Sequence, residues 1–275
     1  MSTRVARRKP PGYKRRVPSS AMPPAETNTP AIVIRARAFG DADKIVTFLT
    51  RDLGKVSGIA KGAKHSKRRF VNVLEPFTHV TARLRLRPNS DLAFIVACEL
   101  IDAHHAFARD LAGFARASYV LELTDRMVRG REAGAEVYEL VRNVLTLLEG
   151  PSATADGVLR AFDLHLLRLT GYEPVLDRCR RCGTLADSVE TLYVYAARGG
   201  VLCGGCRGDG RAYVVSRATL QRLCALASTP LNGGQTSPLE LTPGMAAEAR
   251  AVMRCFLAGN LSAPLASDRL LDELG

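Results

Sequence analysis

The feature that most restricts the fold is a change of hydrophobic period close to residue 102. Before it apolar residues alternate, and after it they recur every three or four positions. Thr78 to Arg87 is the strictest alternating run, with Val80, Ala82, Leu84 and Leu86 on one face and Thr81, Arg83, Arg85 and Arg87 on the other. Ile32 to Ala38 reads the same way, placing Ile32, Ile34, Ala36 and Ala38 opposite Val33, Arg35 and Arg37. Lys44 to Thr50 and Lys55 to Ala60 flank an Asp52-Leu53-Gly54 turn, and Leu92 to Ile101 adds a fifth run. Five short strands in about seventy residues predict a small barrel.

Beyond it, Phe107, Leu111, Phe114, Ser118 and Leu121 keep helical spacing, as do Val137, Leu140, Val141, Val144 and Leu148, and Leu159, Phe162, Leu166 and Leu169. Helical patterns return at Ser216 to Ala227, Met245 to Leu257 and, more weakly, Leu265 to Leu274, with a Pro/Gly/Ser-rich loop from Thr229 to Pro238. Strands followed by helices define an α+β chain. Its predicted parts are a basic arm over 1–30, a barrel over 31–101 and a helical domain over 102–275.

Charge separates the same parts. The chain carries 39 Lys plus Arg against 27 Asp plus Glu, a net of +12; residues 1–95 hold 20 basic and 6 acidic side chains, residues 96–275 hold 19 and 21. All seven lysines lie at or before Lys67. The first thirty residues are interrupted by Pro10, Pro11, Pro18, Pro23, Pro24 and Pro30 and have no central apolar stretch, which predicts a disordered cationic arm and no secretory signal. No apolar run reaches membrane-spanning length.

Four of the seven cysteines form Cys179-x2-Cys182 and Cys203-x2-Cys206, the spacing of a four-thiolate zinc ribbon over 176–212. Gly183, Gly204, Gly205 and Gly208 suit the tight knuckles. Four sulfurs would fill the coordination sphere of one zinc per chain and make it structural. A redox dithiol or an iron–sulfur cluster are the competing uses. The odd cysteine count fits a reducing cytoplasm. Cys98, Cys224 and Cys255 read as buried apolar residues, His104-His105 as capping or surface groups, and His165 as structural.

The basic module is the second signal. Arg83, Arg85 and Arg87 form a positive ladder on one strand, Arg35 and Arg37 on another, and Lys44, Lys55, Lys61, Lys64, Lys67, Arg68 and Arg69 add a dense set. No acidic residue falls between Lys55 and Arg69 to neutralise it. These cations suit a phosphate backbone, although charge also lines any solvated strand face. Segment 31–95 has Phe39, Phe48, Phe70, Phe77 and Phe94 but neither Trp nor Tyr, so stacking should be secondary to charge. A phosphate-binding Gly-x4-Gly-Lys loop, a nucleophile elbow and a His-x-Glu zinc-deaminase signature are all missing, which points away from catalysis. An enzyme acting on nucleic acid would need clustered carboxylates or an open metal position. An RNA- or ribosome-associated zinc-ribbon protein remains a second reading.

Phe39-Gly40-Asp41-Ala42-Asp43-Lys44-Ile45-Val46, Leu49-Thr50-Arg51-Asp52-Leu53-Gly54-Lys55, Ala60-Lys61-Gly62-Ala63 and Leu74-Glu75-Pro76-Phe77 resemble the bacterial recombination mediator RecO family. Tyr119 to Leu123, Phe162 to Leu167, Gly171-Tyr172-Glu173-Pro174 and Cys179-Arg180-Arg181-Cys182-Gly183 are similar to later segments of the same family, in the same order. The resemblance implies an OB-fold barrel, a helical domain and an embedded zinc ribbon. It also implies binding of single- and double-stranded DNA, annealing of complementary strands without ATP, and cooperation with RecR in loading RecA onto strands coated by single-stranded DNA-binding protein. In that family the helical domain receives the acidic, apolar tail of the latter protein, for which Arg116, Arg126, Arg129 and Arg131 are weak candidates here.

Overall fold

Alternating apolar residues at the front of the chain close a five-stranded barrel, because only closure pairs every strand edge while burying one face. The computed structural model describes residues 26–87, 90–130, 134–208, 212–232 and 239–274. Strands β1 (Glu26–Phe39), β2 (Asp43–Thr50), β3 (Gly54–Ala60), β4 (His79–Arg85) and β5 (Leu92–Asp102) are ordered β1-β2-β3-β5-β4. Only β3 and β5 run parallel; the other four pairings are antiparallel. Val33, Phe48, Val56, Val80, Leu84 and Ile95 fill the interior.

Two expectations are corrected in β1. Residues 26–30, assigned to the arm, are strand and pair with β4 from Glu26↔Arg85 to Pro30↔Thr81. Pro30 is compatible with this because its carbonyl faces the end of β2, where it accepts from Arg51 N at 2.9 Å, so its missing N–H faces that side and costs no bond to β4. Residues 1–25 of the predicted arm lie outside the described residues. Second, the ladder to β2 slips between Val33 and Arg35. The extra residue reverses the alternation: Val33 and Ala36 face the barrel interior, while Ile32 and Ile34 point out to the helices.

The helical part comprises α1 (Leu111–Met127), α2 (Ala135–Leu148), α3 (Ala155–Leu169), α4 (Arg217–Ser228), α5 (Pro243–Ala258) and α6 (Ala266–Leu274). Local signals set their starts: Asp110 accepts from the Ala112 and Gly113 amides, Ser216 from Thr219, and Thr242 from Met245 ahead of Pro243. Their apolar faces form one cluster that also takes in Ile32, Ile34 and Leu49, so the barrel shares a core with the helices. At its centre Tyr119 Oη donates to Asp163 at 2.9 Å, and Arg160 pairs with the same carboxylate at 3.3 Å. Gly157 of α3 lets a loop lie directly on the helix: a Cβ there would stand 1.6 Å from the Leu239 carbonyl oxygen.

Between α3 and α4 the chain forms a small sheet of β6 (Val175–Cys179), β7 (Leu192–Tyr195), β8 (Gly200–Cys203) and β9 (Tyr213–Val215), ordered β6-β8-β7-β9. Among the described residues no helix is long and apolar enough to cross a membrane.

Candidate nucleic-acid interface and metal centre

Directly paired residues of a sheet share a face. The registers Arg37↔Ile45, Ile45↔Ile59, Ile59↔Phe94 and Phe94↔Arg85 therefore run one row across the outer wall of the barrel, an apolar strip closed at both ends by arginine. Ile45 is buried; Ile59 and Phe94 are half-buried. The Arg85 and Arg87 guanidinium carbons lie 5.7 and 6.0 Å from the Phe94 ring centre, within cation–π range. Phe39, two residues beyond Arg37 on the same strand face, is 50% exposed. Sequence reasoning underrated both rings. The signal was available in the alternation, since Phe39 continues the Arg35–Arg37 face.

The predicted DNA-contacting cations divide into two groups. Six are engaged with carboxylates: Lys55 with Asp125 at 3.2 Å, Arg35 with the same Asp125 at 3.6 Å, Lys44 with Glu75 at 2.7 Å, Lys61 with Asp43 at 2.6 Å, and both Arg83 and Arg85 with Glu26. The Lys61 ammonium, then the Gly62 amide at 2.9 Å, hold the Asp43 carboxyl below the usual carboxylate range. The ladder expected from Arg83, Arg85 and Arg87 is thus capped by Glu26, which lies in register with Arg85, and of the three only Arg87 has no carboxylate partner among the described residues.

Among the described residues Arg37, Lys64, Lys67, Arg68, Arg69 and Arg87 have no carboxylate partner, and all six are exposed. Lys64 donates to the Gly40 carbonyl at 2.7 Å through Nζ and to Ala42 at 2.9 Å through its amide. These bonds fasten the basic segment after β3 to the β1–β2 turn, so its cations gather at the same end of the barrel as Arg37 and Phe39. Arg69 donates to the Lys61 carbonyl at 3.0 Å and covers Phe70 at 5.0 Å. Lys55 belongs to the other end, where its ammonium also donates to the Asp125 carbonyl of α1 at 2.6 Å.

The second centre is the cysteine cluster. β6 delivers Cys179 and β8 delivers Cys203, each at a strand end followed by a turn. In the first knuckle the Gly183 amide donates to the Cys179 carbonyl at 2.9 Å with φ at +76°, a conformation that glycine adopts freely. Gly204 and Gly205 have ordinary negative φ, so the backbone freedom expected of them is not used. The four sulfurs lie within 4.8 Å of one another, with Cys182 and Cys203 at 3.7 Å. A tetrahedral ion with Zn–S bonds of about 2.3 Å requires sulfurs about 3.8 Å apart. Burial raises the Cys179 thiol, but the amides of Cys182, Cys203 and Arg181 outweigh it and lower the thiol to about 6, favouring the thiolate that a metal needs. The cluster is positioned to bind a metal and is consistent with zinc.

The four arginines proposed for partner binding are not brought together. Arg116 lines a cavity of about 330 Å³ with Leu241, Arg250, Leu271 and Leu274. Arg126 pairs with Glu122 at 3.4 Å beside a different cleft, Arg129 lies near Leu169 and Tyr172, and Arg131 lies outside the described residues. Ten residues of α1 turn Arg126 away from Arg116.

Comparison with known proteins gives a consistent picture over the whole chain. The family described as "Recombination protein O N terminal" matches residues 22–104, and "Recombination protein O C terminal" matches 108–269. A "DNA repair protein RecO" of Anaeromyxobacter sp. (strain Fw109-5) is 38% identical over 246 residues, covering 89% of this chain and 94% of that protein. Proteins of the same description from Syntrophus aciditrophicus and Symbiobacterium thermophilum are 31% and 32% identical, over 91% and 90% of this chain and 96% and 97% of their own lengths.

Proposed function

The chain belongs to the recombination protein O family, and from that premise we propose that it acts in DNA repair and recombination as a nucleotide-independent strand-annealing mediator. The observation that carries the reading is the row Arg37–Ile45–Ile59–Phe94, with the exposed Arg87 guanidinium, which has no carboxylate partner among the described residues, beside the Phe94 ring. An unstacked strand needs flat apolar contact for its bases and cations for its phosphates, and this wall offers both, on the face that OB folds use for oligonucleotides. Charge contacts of this kind read no sequence and accept single- or double-stranded DNA.

Two strands held against one cationic wall repel each other less, and base pairing then supplies the free energy of annealing. No bond is made or broken by the protein, so no catalytic residue is assigned. The family membership supports cooperation with RecR and, through it, the loading of RecA onto strands coated by single-stranded DNA-binding protein. The acidic, apolar tail of that coating protein would meet leucines and the Arg116 and Arg250 guanidinium groups in the Arg116 cavity, against the single carboxylate of Asp156 in its lining. Zinc on Cys179, Cys182, Cys203 and Cys206 would have no open position, and its role is to fix the β6–β9 sheet. Free cysteines and the proposed DNA substrate support a cytoplasmic location, at the nucleoid.

The test is to mix the protein with complementary strands coated by the cognate single-stranded DNA-binding protein and to follow duplex formation without nucleotide. Annealing faster than in the protein's absence is expected; an unchanged rate overturns the proposal.

A further inference from the structure

β5 ends at Asp102, and two residues later His104 takes a left-handed backbone conformation, φ +46°, that turns its imidazole inward. Its side chain is only 2% exposed, contrary to the surface role the His104-His105 doublet suggests, and it stacks on Phe107 at 5.7 Å. Nδ1 is buried without a hydrogen-bond partner. It nevertheless lies beside two carboxylates, Glu149 Oε2 at 3.2 Å and Asp102 Oδ2 at 4.0 Å.

Neither carboxylate is paired with a lysine or arginine among the described residues. Asp102 Oδ1 is already fixed by the His104 amide at 2.9 Å, leaving Oδ2 for another partner. Glu149 is the C-cap of α2, where the carbonyl end of the helix dipole disfavours a negative charge. Two carboxylates and a helix C-terminus thus converge on an unsatisfied ring nitrogen. A positive ion between them would relieve every one of these costs.

We propose that Asp102, His104 and Glu149 form a second metal site, which takes one divalent ion of the zinc class and braces the last barrel strand against the end of α2. The three ligand atoms lie within 4.8 Å of one another. Two ligands bound at about 2.0–2.2 Å to one ion stand roughly 3.0–3.5 Å apart, which the His104–Glu149 pair already meets. Asp102, whose side chain is 54% exposed, closes the remaining gap by rotation, and water completes the sphere on its side. One imidazole with two carboxylates selects zinc over magnesium or calcium, which prefer all-oxygen shells. The site is separate from the cysteines and lies at the rim of a cleft of about 1020 Å³ between the barrel and the helices, lined in part by Phe77, His104 and Phe114.

The experiment starts from protein with its cysteine site loaded, verified by elemental analysis, and titrates Zn²⁺ by calorimetry. One further equivalent per chain is expected. Glu149→Gln keeps the shape of the side chain and should weaken that equivalent by at least about tenfold, the cost already incurred when only a group supporting a ligand is lost. His104→Ala should abolish it. No second equivalent in the unmodified chain overturns the proposal, as does a second equivalent that Glu149→Gln leaves at full affinity. The Gln variant keeps the test decisive if His104→Ala fails to fold, and its circular dichroism should match that of the parent.

Discussion

If exposed cations without carboxylate partners hold DNA, then which charges are removed matters more than how many. Replacing Lys67, Arg68 and Arg87 by alanine deletes three such cations. Each phosphate contact on a single strand contributes about 0.7 to the slope of log affinity against log salt, so the slope should flatten by about 2. Between roughly 50 and 200 mM salt the gap between parent and variant should then shrink roughly 15- to 20-fold. The comparison variant, Lys44→Gln with Lys55→Gln and Arg83→Gln, deletes the same charge from side chains that hold Glu75, Asp125 and Glu26. Its slope should move by less than half as much. Its folding stability should fall, because the half-buried Lys55–Asp125 pair is broken at the cost of about 1–3 kcal/mol for the stranded carboxylate. Fluorescence anisotropy of a labelled oligonucleotide at a series of salt concentrations reads both. Equal flattening in the two variants would mean that only net charge counts and that the division into free and engaged cations is irrelevant. An unchanged slope in the first would remove this end of the barrel from the DNA surface.

Gly157→Ala gains about 1 kcal/mol in helix propensity but drives a Cβ to 1.6 Å from the Leu239 carbonyl oxygen, so a net loss of about 1–3 kcal/mol in urea unfolding is expected, and a neutral or stabilising result would refute the close packing. Chelation or Cys179→Ser should abolish amide-exchange protection across β6 to β9 while the barrel stays protected, and a parent protein holding far less than one metal per chain would contradict the assignment. Burial raises the Glu122 carboxyl, but the Ser267 amide and hydroxyl and the Ala266 amide outweigh it and hold it below its ordinary 4.5. Docking of α6 on α1 should therefore be intact above pH 4.5 and loosen as the pH falls through the lower folded value; exchange in α6 that is flat over that range, or unaltered by Glu122→Gln, would exclude this anchor.

Legibility in the sequence followed burial. Five barrel strands and six helices were readable because each buries one face and so imposes a period on its apolar residues. β6, β8 and β9 were not, being three to five residues long and so too short to impose a period. The start of β1 was hidden because Pro30 and the basic residues before it imitate a disordered arm. At the candidate site the residue types were legible and their pairing was not. The basic run from Lys55 to Arg69 has no acid within it, yet Lys55 meets Asp125 seventy residues away and Lys61 meets Asp43 eighteen away. A one-dimensional charge count cannot register a carboxylate that arrives from another element.

The same contacts explain why the wall is free at one end only. The outward row Ile32–Leu49–Lys55 is covered by helices, with two of its side chains in the helical core and the third bound to Asp125. One step along the strands, Arg35 still reaches back to Asp125 at 3.6 Å while its guanidinium side chain is 63% exposed. One step further, the row from Arg37 to Arg85 makes no ion pair with any helix among the described residues. The bulge at Ile34 sets the facing of the second half: with the same residues in an unbulged ladder, strict alternation from Val33 would turn Arg35 and Arg37 into the barrel and Ala36 out of it. A single inserted position thus lets β1 combine apolar contact with the helices in its first half with cationic exposure in its second.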